Sequence, residues 1–229
     1  MTAHSRTVRG ERHHVAILLG GECTPTPRLL RHLRDARAIA ADGGIVHAAP
    51  LGFSGNRAPV LWVGDFDSTS DAARGEWAAI PRETHPVAKD ATDGAIAVEA
   101  ALDRSAGRIT LVGAFGGPRL DHSLGTTMMG IALAMRGIGV RMTDGLRWAE
   151  PLLPGEATIE AERGEVLSIV ALDDLAGLSI DGAQWPLENA SVPFGDTRTL
   201  SNSFVQGTVR LGLRSGRALV VTGPPDRTG

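Results

Sequence analysis

At 229 residues, with 42% apolar and 21% charged, the chain carries enough apolar side chains for one large domain or two smaller ones with a substantial core. A formal charge of −3 supplies neither a basic field for nucleic acid nor a polybasic membrane patch, and 4% aromatic residues without tyrosine argue against a base-stacking surface. Cys23 is the single cysteine, so an intramolecular disulfide is excluded and neither secretion nor a Cys-based zinc site gains support.

Residues 1–14 read as a flexible polar tail. Arg6, Arg9 and Arg12 are present, but the apolar stretch of a signal peptide is not, and no run approaches the ~20 residues of a membrane span. A cytoplasmic protein with a small ligand is expected. Val15-Ala16-Ile17-Leu18-Leu19 is a buried-strand signal closed by Gly20-Gly21, and Thr24 to Pro27 offers a cap and a starting proline for a helix over Arg28 to Leu33. Arg37 to Ala41 is a second strand, ended by Asp42-Gly43-Gly44, where glycines let backbone approach a phosphate or sugar beside a carboxylate.

A short helix is expected over Ile45 to Leu51, followed by a third strand over Val60 to Val63. That strand runs into Gly64-Asp65-Phe66-Asp67-Ser68. Two acids separated by one residue project to the same side of an extended segment, so both can reach one hard cation such as magnesium at the carboxyl edge of a sheet. A helix over Asp71 to Ile80 and the turn Lys89-Asp90-Ala91-Thr92-Asp93 come next. Thr92 suits the N-cap and Asp93 the first turn of a helix through Leu102, but capping leaves Lys89 and Asp90 unexplained.

Arg108 to Val112 is the next strand, and it opens into Gly113-Ala114-Phe115-Gly116-Gly117-Pro118-Arg119-Leu120-Asp121-His122 before a helix over Leu124 to Met135. Glycines, an arginine and an Asp-His pair between strand and helix suit an anion held by backbone amides and a guanidinium. From about Gly139 the strand-helix alternation gives way to short alternating runs: Thr158 to Ala161, Val166 to Val170, Leu178 to Ile180, Thr208 to Leu213 and Ala218 to Val221. Such spacing predicts an antiparallel sandwich or barrel. The expected fold class is therefore α/β, with a mostly parallel sheet flanked by helices over 15–143 and an all-β sandwich or barrel-like domain over 144–229.

Taken in order, these loops resemble the thiamine pyrophosphokinase (thiamine diphosphokinase) family, as do Gln184-Trp185-Pro186-Leu187 and Ser201-Asn202-Ser203 further on. The likeness covers about residues 15–222. It implies an α/β nucleotide domain joined to a β-sandwich thiamine-binding domain, a homodimer with its active site near the interface, and transfer of pyrophosphate from ATP to the thiamine hydroxyl, leaving AMP. It further implies magnesium ligation by Asp65, Asp67 and Asp93, with Asp42 and Asp90 as further ligands or water-orienting groups. By the same likeness Gly43, Gly44, Lys89, Thr92, Gly116, Gly117, Arg119, Asp121 and His122 belong to the nucleotide site. Trp185 would offer thiamine an aromatic face, and Ser201 and Asn202 would bond its aminopyrimidine. Pro118, Ala95 and Thr126 depart from the commoner family pattern.

Other readings stay open at this level. Asp65-Phe66-Asp67-Ser68-Thr69 also fits the D-x-D-x-T motif of haloacid-dehalogenase-like phosphatases, with Asp65 as nucleophile. A pyrophosphokinase acting on a pterin and a non-catalytic sensor of thiamine or nucleotide are the remaining alternatives.

Overall fold

The runs Val15 to Leu18, Ile39 to Ala41 and Leu61 to Val63 are apolar at every position, and Ile109 to Val112 at every position but Thr110, as suits strands covered on both faces. A computed structural model describes residues 13–66, 71–84, 91–117 and 119–225. The expectations placed on residues 1–12, Asp67, Ser68, Lys89, Asp90 and Pro118 lie outside the described residues. The first half contains β1 (His13–Leu18), α1 (Pro27–His32), β2 (Arg37–Ala41), β3 (Leu61–Gly64), α2 (Asp71–Glu76), β4 (Arg82–Thr84), α3 (Asp93–Asp103), β5 (Ala106–Val112), α4 (Leu120–Met135) and β6 (Gly139–Thr143). The β1 strand starts at His13, and His14 is buried within it.

Alternation divides each apolar run between two cores. Ile17, Ile39, Val63 and Leu111 point to the face that α3 and α4 cover, whereas Leu18, Ala40, Trp62 and Val112 point to the opposite face, against Leu29, Phe53 and Trp77. On α4, Gly130 lets the helix lie tightly on β6, since a methyl there would meet the Met142 sulfur at 2.7 Å. Its outer face leaves Leu120, Leu124, Met128 and Met135 exposed.

Strands β4-β3-β2-β1-β5-β6 pair in parallel in that spatial order. From β1 the chain winds outward through β2 to β4, then returns to the other side of β1 with β5 and β6. The reversal leaves a crevice above the carboxyl ends of β1 and β5, the place where open α/β sheets bind ligands.

The second half adds β7 (Trp148–Leu152), β8 (Gly155–Glu160), β9 (Val166–Ala171), β10 (Leu175–Asp181), β11 (Leu187–Val192), β12 (Asn202–Ser203), β13 (Thr208–Leu213) and β14 (Ala218–Gly223). Strands β7, β14, β9 and β12 continue the first sheet in antiparallel fashion to make ten strands, and β11-β10-β13-β8 forms a second sheet facing them. Val220 of β14 enters the sandwich core with Leu178 and Leu211, while Leu219 joins the helix-covered core. One strand thus serves both cores. Arg28 of α1 adds a tie, donating to the Glu165 carboxylate at 3.0 Å and to the Glu160 carbonyl at 2.9 Å.

Candidate active site

The crevice opens into a cavity of about 970 Å³. Its floor is the chain leaving β1, β2, β3 and β5, and its walls are the first turns of α3 and α4. Asp42, Asp65 and Asp93 all line it, arriving from three separate elements. So do Gly43, Thr92, Gly116, Gly117, Arg119 and His122.

Asp42 follows β2 with a positive φ of 42°, unusual for a residue with a side chain. The Trp62 indole donates to its carbonyl oxygen at 2.9 Å, and Gly64 lies so close that a methyl in its place would stand 3.1 Å from the Asp42 Cα. Gly44 is pinned behind it, since a methyl there would be 2.1 Å from the Leu18 carbonyl oxygen, whereas Gly43 has no neighbour within 4 Å on that side. Asp65 follows β3 directly. The next residue, Phe66, packs edge-on against Trp62 with ring centroids 5.0 Å apart, and Arg74 donates to the Phe66 carbonyl at 2.6 Å.

Thr92 caps α3 by accepting from the Ala95 amide at 3.3 Å, which places Asp93 in the first turn. The α4 helix begins at Leu120, four residues before the expected Leu124, because nothing between Arg119 and Leu124 breaks a helix and Asp121 complements its positive end. Arg119 grips Asp121 with two hydrogen bonds of 2.9 and 2.6 Å, both side chains 64% exposed. The guanidinium's hydrogen bond holds the Asp121 carboxyl down to about 2, and the Arg119 pKa is raised in return. Asp121 is the partner of a cavity residue rather than a lining residue.

Sequence reasoning left out Gly20 and Gly21 as site residues, although both line the cavity with Ser123 and Thr126. The signal was present as a glycine pair closing a strand, like the pair that follows Asp42. Gly21 lies so near the turn after β5 that a methyl would be 2.2 Å from the Gly113 carbonyl oxygen, and His47 donates to the Gly21 carbonyl at 2.8 Å. The loops that end β1 and β5 therefore meet backbone to backbone at this point.

The cavity is lined by the Asp42, Asp65 and Asp93 carboxylates together with Arg119 and the amino ends of two helices. Carboxylates repel a triphosphate, so an anion of that kind fits beside them only with a cation between. Among the described residues, no three acidic, histidine or cysteine side chains gather closely enough to hold a metal alone. The donor set suits a hard ion that completes its shell with water and phosphate oxygens, as magnesium does.

The residues expected to meet thiamine stand in the second half, around β12. Trp185 is 57% exposed and Asn202 is 5% exposed. Ser201 has a positive φ of 57°, and its amide donates to the Ser168 hydroxyl at 3.0 Å.

Residues 31–142 match the thiamin pyrophosphokinase catalytic domain, and residues 156–217 match the thiamin pyrophosphokinase vitamin B1 binding domain. The chain is 28% identical over 212 residues to the thiamine pyrophosphokinase of Bacillus subtilis, covering 90% of this chain and 97% of that one. A crystal structure of the thiamine pyrophosphokinase from Bacillus subtilis superposes with a TM-score of 0.81 at 26% identity, covering 93% of this chain and 99% of that one. The thiamin pyrophosphokinase of Candida albicans shares the fold at 14% identity, with a TM-score of 0.76 over 95% and 91% of the two chains. With both domains of one family matched in their order, the chain belongs to the thiamin pyrophosphokinase family.

Proposed function

We propose that the chain is a thiamine diphosphokinase that moves the pyrophosphoryl group of ATP to the hydroxyl of thiamine, giving thiamine diphosphate and AMP. The observation that carries this reading is the meeting of Asp42, Asp65 and Asp93 in one cavity with Arg119 and two helix amino termini. In the reaction a bond forms between the thiamine oxygen and the β-phosphorus, and the bond from that phosphorus to the AMP oxygen breaks. Such a transfer needs placement and charge compensation more than covalent help.

Asp65, Asp67 and Asp93, assisted by Asp42 and Asp90, would hold magnesium, which supplies charge neutralisation on the phosphate oxygens when bound. Arg119 and Lys89 offset further phosphate charge, and the amides at the starts of α3 and α4 face the anion. Gly43, Gly116 and Gly117 leave backbone open to it. Thiamine, a cation with an aromatic ring, stacks on Trp185 through an attraction of about 0.5–2 kcal/mol, with Ser201 as a hydrogen-bonding partner. Residues 15–143 form the nucleotide part and residues 144–229 the thiamine part.

We further infer a cytoplasmic homodimer. The exposed stripe of Leu120, Leu124 and Met128, beginning one residue after Arg119, is the surface that favours a second copy beside the cavity. No described helix is long and apolar enough to cross a membrane.

The alternatives lose ground on particular features. The phosphatase motif would make Asp65 the centre of a site without a role for the loops after β1 and β5. A match to a vitamin B1 binding domain disfavours a pterin acceptor. Matches to both the catalytic domain and the vitamin B1 binding domain disfavour a sensor. Incubation with ATP, magnesium and thiamine tests the reading. AMP and thiamine diphosphate should appear in equal amounts and only when thiamine is present, and Asp65→Asn and Asp67→Asn should each remove most turnover in a folded protein. Phosphate release from small esters without ATP would overturn it.

A further inference from the structure

We infer that Asn202 is a positioning residue for the acceptor substrate, acting by clamping the backbone of Trp185 and not by reaching the substrate. The inference rests on the reading of Trp185 as the thiamine-facing aromatic.

Asn202 is buried, and its amide meets both polar groups of one neighbouring residue. Its Oδ1 accepts from the Trp185 amide at 3.0 Å, and its Nδ2 donates to the Trp185 carbonyl at 2.8 Å. The same Oδ1 also accepts from the Ser203 amide at 2.9 Å, so both of its acceptor positions are used. The chain on either side explains why a side chain is needed. Residues 182–184 pair with β12 and its continuation as a short ladder, in which the Gln184 amide donates to the Ser203 carbonyl at 2.9 Å and Ala183 bridges Phe204. Phe204, 1% exposed, roots that ladder in the sandwich core.

The ladder stops at Trp185, because Pro186 has no amide proton with which to extend it. Pro186 also restricts the residue before it to extended conformations. Asn202 then supplies the partner that a strand would have supplied. An exposed indole on a backbone fixed in this way loses little freedom when a ring stacks on it, so the clamp lowers the ordering cost of binding.

A double-mutant cycle tests this. Asn202→Ala should raise the KM for thiamine by about tenfold while leaving kcat and the KM for ATP within about twofold. In a Trp185→Ala background the same substitution should change the thiamine KM by less than about twofold. Iodide quenching gives a readout apart from turnover. Trp62, Trp77 and Trp148 are all less than 9% exposed, so quencher access reports on Trp185 and should change in Asn202→Ala. Asn202→Asp keeps both accepted bonds and should recover part of the loss; it carries the same cycle should the alanine variant fail to fold. Equal losses with and without Trp185 would show that Asn202 touches the substrate itself, and an unchanged thiamine KM in Asn202→Ala would show that the clamp is dispensable; either overturns the inference. An unchanged thiamine KM in Trp185→Ala would instead remove the reading beneath it.

Discussion

The indole nitrogen of Trp62 donates to the backbone carbonyl of Asp42 at 2.9 Å, so a fully buried ring in β3 holds a cavity acid at the end of β2. The bond matters because Asp42 sits in the left-handed region, where a residue with a side chain costs about 1–3 kcal/mol and stays only if its surroundings hold it.

Trp62→Phe keeps an apolar ring but loses the donor. The variant should be less stable by about 1–3 kcal/mol from the lost hydrogen bond and the lost volume. Turnover should fall several-fold, because Asp42 is then free to leave its strained conformation. Urea unfolding and steady-state kinetics measure the two effects. Full turnover in a destabilised variant would show that the bond supports the core without positioning the acid.

The neighbouring glycines separate a structural from a functional role. Gly44→Ala drives a methyl to 2.1 Å from the Leu18 carbonyl oxygen, with backbone on all near sides, and should cost several kcal/mol of stability. Gly43→Ala meets nothing within 4 Å and should leave the unfolding midpoint within about 0.5 kcal/mol of wild type. If the phosphates lie against Gly43, the same variant should show a raised KM for ATP. An unaltered KM would place the phosphates elsewhere in the cavity.

This contrast shows how far the sequence was legible. Strands β1, β2, β3 and β5 could be read because their largely apolar runs ended at a glycine or at Asp42-Gly43-Gly44, and the acids at those ends fell into the cavity because strand ends of one direction share one edge; β4, the exposed Arg82-Glu83-Thr84, and β6 offered no such run. The antiparallel strands were less visible. Strand β7 contains Pro151, which normally demotes a strand, but here the ladder with β6 pairs only Met142 with Ala149 and Thr143 with Trp148 and stops short of it. Strand β11 begins Leu187-Glu188-Asn189 at the edge of the smaller sheet, too polar for its pattern to stand out. Nor does local pattern reveal that β14 serves two cores, since that depends on what packs on each face. The clamp between Asn202 and Trp185 was hidden for the same reason: seventeen positions separate the partners.

Arg119 and Asp121 give a prediction about affinity without stability. Both side chains are 64% exposed, and such pairs add little to folding. Arg119→Ala should leave the unfolding midpoint unchanged and raise the KM for ATP by about 10–100-fold, through the lost charge beside the phosphates. Asp121→Asn removes the carboxylate that aims the guanidinium and should give a smaller rise. Because the Asp121 carboxyl is held down to about 2, the pair stays charged at any assay pH from 5 upward. A titration of KM near pH 4–5 that Asp121→Asn abolishes would contradict this.

Beneath the opposite face of the sheet, the His14 Nε2 and the His32 Nε2 share the Thr110 hydroxyl at 2.9 and 2.8 Å. One hydroxyl proton serves at most one of the two rings, so at least one of the histidines carries its proton on Nε2 and donates to Thr110. The His14 Nδ1 is buried with no partner among the described residues, which favours a bare acceptor at that atom and a proton on Nε2. Burial lowers the His14 pKa from 6.5 to about 4, helped by Arg108 and Arg141 and opposed by Asp35. Burial likewise lowers that of His32 to about 3, with Arg141, His14, Arg108 and Arg28 adding to it. The unfolded chain therefore binds protons near pH 6.5 that the folded chain refuses until far lower pH, so stability is complete above 6.5 and falls as the pH drops below it. The urea midpoint should decline between pH 7 and pH 4.5, and His14→Gln, which cannot titrate, should make that decline shallower. An identical pH slope in wild type and variant would show that other groups govern the acid limit of the fold.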